Sequence, residues 1–128
     1  MKNLIIILFI LTSYFTFMKC TQMSVSVKII RPCKAYLNRV AYFTGQIRYQ
    51  IFNEESKSKP LNLNWKICDS ENQCQIRQGE ITVSPRMSFS GTRMIQMKRR
   101  YTNPGSRSVR LSLNIDGVVS YDECHFTV

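Results

Sequence analysis

Histidine is almost missing from this chain: His125 is the only one among 128 residues. There is also no second close pair of cysteines beside Cys68 and Cys74, so the usual four-ligand zinc sets cannot be assembled from the sequence. The lone imidazole adjoins Cys124, and a cysteine committed to a disulfide cannot serve as a Cys–His nucleophile. Asp116 and Asp122 near the same end read as turn residues, and no basic group can be assigned from sequence to activate a free Cys33. The expectation is a protein without catalytic residues, cofactor or metal. No N-x-[ST] sequon occurs, which removes support for glycan-dependent lysosomal sorting. No segment holds a 3.6-residue apolar period over three turns, so a helical domain is not expected.

What is present begins with the amino terminus, MKNLIIILFILTSYFTFMKC. Lys2 followed by the apolar run Leu4 to Leu11 has the size of a signal peptide and is too short to span a bilayer, which takes about 18 residues or more. The leader is read as residues 1–13, with cleavage as late as residue 20, leaving one domain over 14–128. The choice decides whether the mature chain keeps five cysteines or four. An oxidising route makes disulfides the default, with the protein secreted or held in the endolysosomal lumen.

Acidic residues are scarce: 8 Asp+Glu against 18 Lys+Arg, a net charge of +10. Losing Lys2, and Lys19 with the later cut, lowers that to +9 or +8. Such a surface favours anionic partners, namely lipid headgroups and membranes, glycans or microbial polymers. Nucleic acid is disfavoured by the secretory route and by the lack of a binding motif.

Alternation of apolar and polar residues predicts strands over 24–30, 47–52, 61–67, 80–89 and 108–115, with a last one in the closing CHFTV. Leu61, Leu63, Trp65 and Ile67 against Asn62, Asn64 and Lys66 is a strict example. Turn signals fall at 54–60, 103–106 and Asp116-Gly117. Strands with one apolar face imply two antiparallel sheets packed face to face, a β-sandwich. The Cys, Trp and Tyr spacings do not match a true immunoglobulin domain, while a related architecture remains open.

Cys68 and Cys74 enclose Asp69, Ser70, Glu71, Asn72 and Gln73, all polar, so the loop is expected at an exposed rim. Closing it restricts the unfolded chain by roughly 2 to 2.5 kcal/mol. The order Cys68, Cys74, Ile76, Arg77-Gln78-Gly79, the strand from Glu80, Pro104-Gly105, the run to Ile115, and Cys124 before HFTV resembles the ML (lipid-recognition) family. FMKC at 17–20 and VKIIRPC at 27–33 resemble that family's opening, and GEITVSPRMSFSG is similar to its toll-receptor co-receptor branch. The family's usual cysteine shortly after the Pro-Cys is missing here.

The resemblance implies an immunoglobulin-like sandwich of two antiparallel sheets holding a lipid between them, for transfer or for sensing in innate immunity. The lining would be Ile47, Tyr49, Ile51, Leu63, Trp65, Ile67, Val83, Met87, Phe89, Val109, Leu111 and Leu113. The mouth, where basic side chains can meet headgroup anions, would be Arg93, Met94, Ile95, Met97, Lys98, Arg99 and Arg100. Family logic pairs Cys68 with Cys74 and a retained Cys20 with Cys124; if Cys20 leaves with the leader, Cys33–Cys124 becomes the natural pair. A receptor ectodomain is a further expected partner. The competing expectation is a secreted immunoglobulin-like module with a filled core, acting on protein through its basic face.

Overall fold

The computed structural model describes residues 21–128. The expected leader, both candidate cleavage points, Cys20 and the remainder of 14–20 lie outside the described residues. The alternation resolves into seven strands: β1 (Gln22–Ile29), β2 (Val40–Phe52), β3 (Lys59–Asp69), β4 (Cys74–Val83), β5 (Ser88–Arg100), β6 (Ser106–Ile115) and β7 (Val118–Thr127). They form a three-stranded sheet, β1-β2-β5, and a four-stranded sheet, β4-β3-β6-β7, with every pair antiparallel. The molecule is an immunoglobulin-like β-sandwich. Its fourth strand pairs with the third, whereas in the constant-type arrangement that strand joins the opposite sheet.

Local chemistry fixes the corners. Asp116 and Gly117 both take positive φ, 46° and 88°, as a two-residue type I′ hairpin requires. The strand expected over 80–89 is in fact two: β4 ends at Val83 and β5 begins at Ser88. Pro85 and the left-handed Arg86 (φ 55°) turn the chain, closed by the Met87 amide donating to the Ser84 carbonyl at 3.3 Å. This corner carries Met87 into solvent, and Phe89 stays partly exposed at the start of β5; neither belongs to the interior. Asn53, fully buried, pins the neighbouring loop by donating to the Lys57, Val83 and Ser84 carbonyls at 2.8, 3.0 and 3.4 Å.

The core lies between the sheets. Ile47, Tyr49, Ile51, Leu63, Trp65, Ile67, Val83, Val109, Leu111 and Leu113 are all buried there in one cluster. Packing is close enough that a Cβ added at Gly45 of β2 would stand 2.4 Å from Leu111 Cδ2 of the facing sheet. Phe43 and Phe126 meet with ring centroids 4.9 Å apart. Ile95 and Met97, expected at a mouth, instead point into this core from β5 and are 6% and 2% exposed.

One edge of the sandwich is sealed. Cys124 of β7 is bonded to Cys33 just beyond β1, so the expected pairing with Cys20 is replaced by the alternative one. Closing so long a loop restricts the unfolded chain by about 4.6 kcal/mol in the entropy model. Beside it, Arg31 donates to both Asp122 oxygens at 2.9 and 3.0 Å, and the Ile29 amide donates to Asp122 Oδ2 at 2.8 Å. The Arg31 guanidinium is the main reason the Asp122 carboxyl is held down to about 2.

Two outcomes follow. Gly45→Ala should destabilise the protein by about 1–3 kcal/mol, because Leu111 is enclosed and must move. In a Leu111→Ala background the same change should be near neutral, and strict additivity in urea denaturation would show that the crowding lies elsewhere. The second concerns Asp122. Its folded pKa lies below the unfolded value, so its contribution is complete above about pH 4 and is lost as pH falls through about 2. The stability difference between wild type and Arg31→Gln should therefore be present near neutral pH and vanish toward pH 2 in acid-dependent denaturation; a constant difference would assign it to packing.

Candidate functional site

The opposite edge is open. There β4 and β5 are each the outermost strand of their sheet, and they approach one another far less than β1 and β7 do. Register fixes which residues look across this seam. On β4 they are Gln75, Arg77, Gly79 and Ile81, opposite Ile67, Trp65, Leu63 and Leu61. On β5 they are Phe89, Gly91, Arg93 and Ile95, opposite Ile51, Tyr49, Ile47 and Gly45. Inward-facing positions of a sandwich are ordinarily buried, yet Gln75, Arg77, Gly79 and Arg93 are all exposed.

The result is a cleft of about 290 Å³ lined by Trp65, Gln75, Arg77, Arg93, Met94, Ile95 and Gln96. Trp65, 7% exposed, belongs both to this cleft and to the core. Among the described residues neither Arg77 nor Arg93 has an ion-pair or side-chain hydrogen-bond partner, so two like charges share one recess. Further along the seam, a Cβ placed on Gly79 would meet nothing within 4 Å. Gly91 lies under the Tyr49 ring, where a Cβ would come within 2.2 Å of its atoms, and Tyr49 stacks on Phe89 at 6.0 Å. A groove with guanidinium donors at one level and Ile81 and Phe89 beyond suits a ligand with an anionic group and an apolar extension.

The expected mouth is thus divided among different surroundings. Arg93 and Met94 line the cleft; Ile95 reaches it from the core; Met97 is core. Lys98 and Arg100 point away on the outer face of the three-stranded sheet, beside Tyr42 and Val40. Arg99 turns inward to an ion pair with Asp69. Arg77 was not expected here, although its position in the Arg-Gln-Gly step after Cys74 was a visible signal.

Asp69 also departs from expectation. The rim loop is polar as expected, but this carboxylate is fully buried. Oδ1 accepts the Glu71 and Gln73 amides at 3.0 and 2.9 Å, and Oδ2 accepts Arg99 Nε and the Tyr101 hydroxyl, the latter at 3.0 Å. Burial opposes its charge, yet the Gln73 amide, Arg99 and Tyr101 together hold the carboxyl below its ordinary range. Tyr101 is pushed up to about 12, first by burial and then by the Asp69 charge. Glu71 extends the cluster to Arg99 Nη2 at 2.7 Å and Arg107 Nε at 3.0 Å, and both guanidinium groups sit over the Tyr101 ring. The sequence signal was local: an aspartate whose side chain can cap amides two and four residues on.

No protein-family model matches the chain, and no curated protein matches its sequence. Among solved structures it is similar to part of the alkylpurine DNA glycosylase AlkC of Pseudomonas fluorescens, at 12% identity and TM-score 0.46, over 84% of this chain and 30% of that one. It is also similar to the CARDB domain of a Pyrococcus furiosus protein, at 10% identity and TM-score 0.44, over 83% and 93% of the two chains. A third likeness is to β-glucuronidase 2 of Bacteroides uniformis, at 10% identity and TM-score 0.44, covering 80% of this chain and 13% of the enzyme. The chain therefore spans less than a third of both enzymes, and the likenesses are of fold alone.

Removing one side of the buried Asp69–Arg99 pair should be costly. Asp69→Asn is expected to lose about 3–5 kcal/mol, while Asp69→Asn combined with Arg99→Met should recover much of it, because the Asn oxygen still accepts the Glu71 and Gln73 amides and no buried charge is left unpaired. Urea denaturation of the single and double variants measures this, and a double variant no better than the single would refute the pairing as the source of the loss.

Proposed function

We propose that the protein is a secreted or lumenal lipid-binding module of the ML kind, taking a lipid with an anionic headgroup at the open β4–β5 seam. The observation that carries this reading is the pair of unpartnered guanidinium groups, Arg77 and Arg93, in one cleft with Trp65. A phosphate or carboxylate would answer both charges, and planar guanidinium suits such groups bidentately. The apolar chain would run along the seam past Gly79 toward Ile81 and Phe89. Each methylene removed from water contributes about 0.8 kcal/mol. Because the interior is closely packed, the chain must part the edge of the sandwich rather than fill a standing hollow. Two disulfides fit the oxidising compartment that the reading requires.

The packed core also favours a second reading, in which the ligand stays at the surface. An extended acidic peptide could pair with the unpaired edge of β4 and present carboxylates to the same arginines.

Trp65, the sole tryptophan, reports on the cleft directly. Organic extraction of the secreted protein with lipid mass spectrometry should find a stoichiometric anionic lipid, and titration with such lipids should change Trp65 fluorescence saturably. Arg77→Gln with Arg93→Gln should weaken that response by roughly tenfold or more. Gly79→Ile has room to fold, and it should reduce the dependence of affinity on acyl-chain length. A clean extract with no fluorescence response to anionic lipids would sink the lipid reading, and saturable binding of an acidic peptide in its place would establish the second.

A further inference from the structure

We propose that the end of the three-stranded sheet around loop 30–39 is a docking surface for an anionic lipid membrane. This surface is the outer face of the β1-β2-β5 sheet, whereas the cleft opens between the two sheets, and it does not rest on the reading given to that cleft.

The first observation is apolar exposure gathered at one place. Tyr36 and Leu37 project from the loop at 62% and 43% exposure. Val40 and Tyr42 follow on the outward face of β2, with Ile30 just past the end of β1; these three are 45%, 57% and 47% exposed. The Ile30 amide bonds to the Thr44 carbonyl at 2.8 Å, which places Ile30 beside the outward residues of β2.

The second observation is that the loop is held out rather than loose. Cys33 anchors its root through the disulfide, and Ala35 is buried against the core. The Asn38 amide donates to the Tyr101 carbonyl at 2.8 Å, and Arg100 Nε donates to the Asn38 carbonyl at 3.1 Å. Within the turn the Arg39 amide donates to the Tyr36 carbonyl at 3.1 Å, and Asn38 takes φ 58°. Apolar tips on a fixed support lose little conformational freedom when they insert.

The third observation is an excess of positive charge, the carboxylate at the loop root, Asp122 of β7, being taken up by Arg31. Residues 21–53 and 81–115, which include the whole three-stranded sheet and this loop, contain no aspartate or glutamate. Lys98 and Arg100 stand directly beside Tyr42 and Val40 across the β2–β5 ladder, and Lys34 and Arg39 lie on the loop. Tyrosines and aliphatic tips ringed by lysine and arginine are suited to an interface of anionic headgroups. A second copy of the chain is a poor match, because each mature copy brings a net charge of +8 or +9.

The test is co-sedimentation of the purified secreted protein with phosphatidylcholine vesicles, with and without phosphatidylserine. Binding is expected only with phosphatidylserine and should fall as salt rises. Tyr36→Ser with Leu37→Ser, and separately Arg39→Gln with Lys98→Gln, should each weaken it by roughly tenfold or more. All four side chains are exposed, so thermal melting should match wild type. Lys66→Gln with Arg110→Gln, on the outer face of the other sheet, removes the same charge and should leave binding close to wild type. The Trp65 response to monomeric anionic lipid should survive the loop variants, which separates this surface from the cleft. Absent vesicle binding, equal loss in the charge-matched control, or self-association abolished by Tyr36→Ser with Leu37→Ser would each overturn the proposal.

Discussion

Burying the Asp69 carboxylate beneath the Cys68–Cys74 hairpin obliges the chain to supply donors from several directions, and one end of the sandwich is arranged to do so. Two come from amides inside the hairpin, one from Arg99 on the facing sheet and one from Tyr101 beyond it. A charge taken out of water is tolerated when its lone pairs are met in this way. The short disulfide is part of the same solution. It restricts the unfolded chain by about 2.3 kcal/mol, and it holds β3 and β4 at the spacing that brings the Glu71 and Gln73 amides to Oδ1. The hairpin thus ties the sheets together at this end through Arg99, while the rest of β4 reaches no such partner.

That contrast organises the surfaces proposed above. Along β1 and β7 the sheets are joined by a covalent bond, a bidentate ion pair and a hydrogen bond from the Ile29 amide to the Asp122 carboxylate. Along β4 and β5 they are joined near the hairpin and at the Ser84–Met87 corner, leaving the inward-facing Arg77, Arg93 and Gly79 between them uncovered. A residue's role here depends less on its face of the strand than on its distance from the sealed edge. Trp65 and Ile47 face the same interior as Arg77 and Arg93, one strand further in. The outer face of the three-stranded sheet is a separate matter, with its own apolar tip and its own cations.

Much of the sandwich was legible because alternation is a backbone property. Strands such as 61–67 and 108–115 show their inward face in composition alone, and these residues are where the core formed. The break at Pro85 was missed because alternation runs through the corner without losing phase. The first half of β2 was missed because Thr44, Gly45 and Gln46 dilute its apolar face; Gly45 is small there because Leu111 occupies the space. Basic residues 93–100 read as one patch, yet alternation sends Arg93 and Arg99 inward and Lys98 and Arg100 outward. Asp69 was unreadable as a buried charge, since its partner Arg99 lies thirty residues away. Core and lipid lining draw on the same residue types, so sequence gave the wall without its spacing.

The sealed edge has a mechanical consequence. Two stiff sheets joined along one side behave as a hinge, and displacement grows with distance from the axis. With strands about 4.8 Å apart, β5 stands roughly 10 Å from β1 and β4 roughly 14 Å from β7, so a turn of about 10° would separate them by about 2 Å. Most of the interior would shift by less. The Asp69–Arg99 bridge closes one corner of the free edge and the Ser84–Met87 turn closes the other, so the opening would be a slit, widest midway near Gly79. A sandwich built this way can give at one margin while its core remains packed.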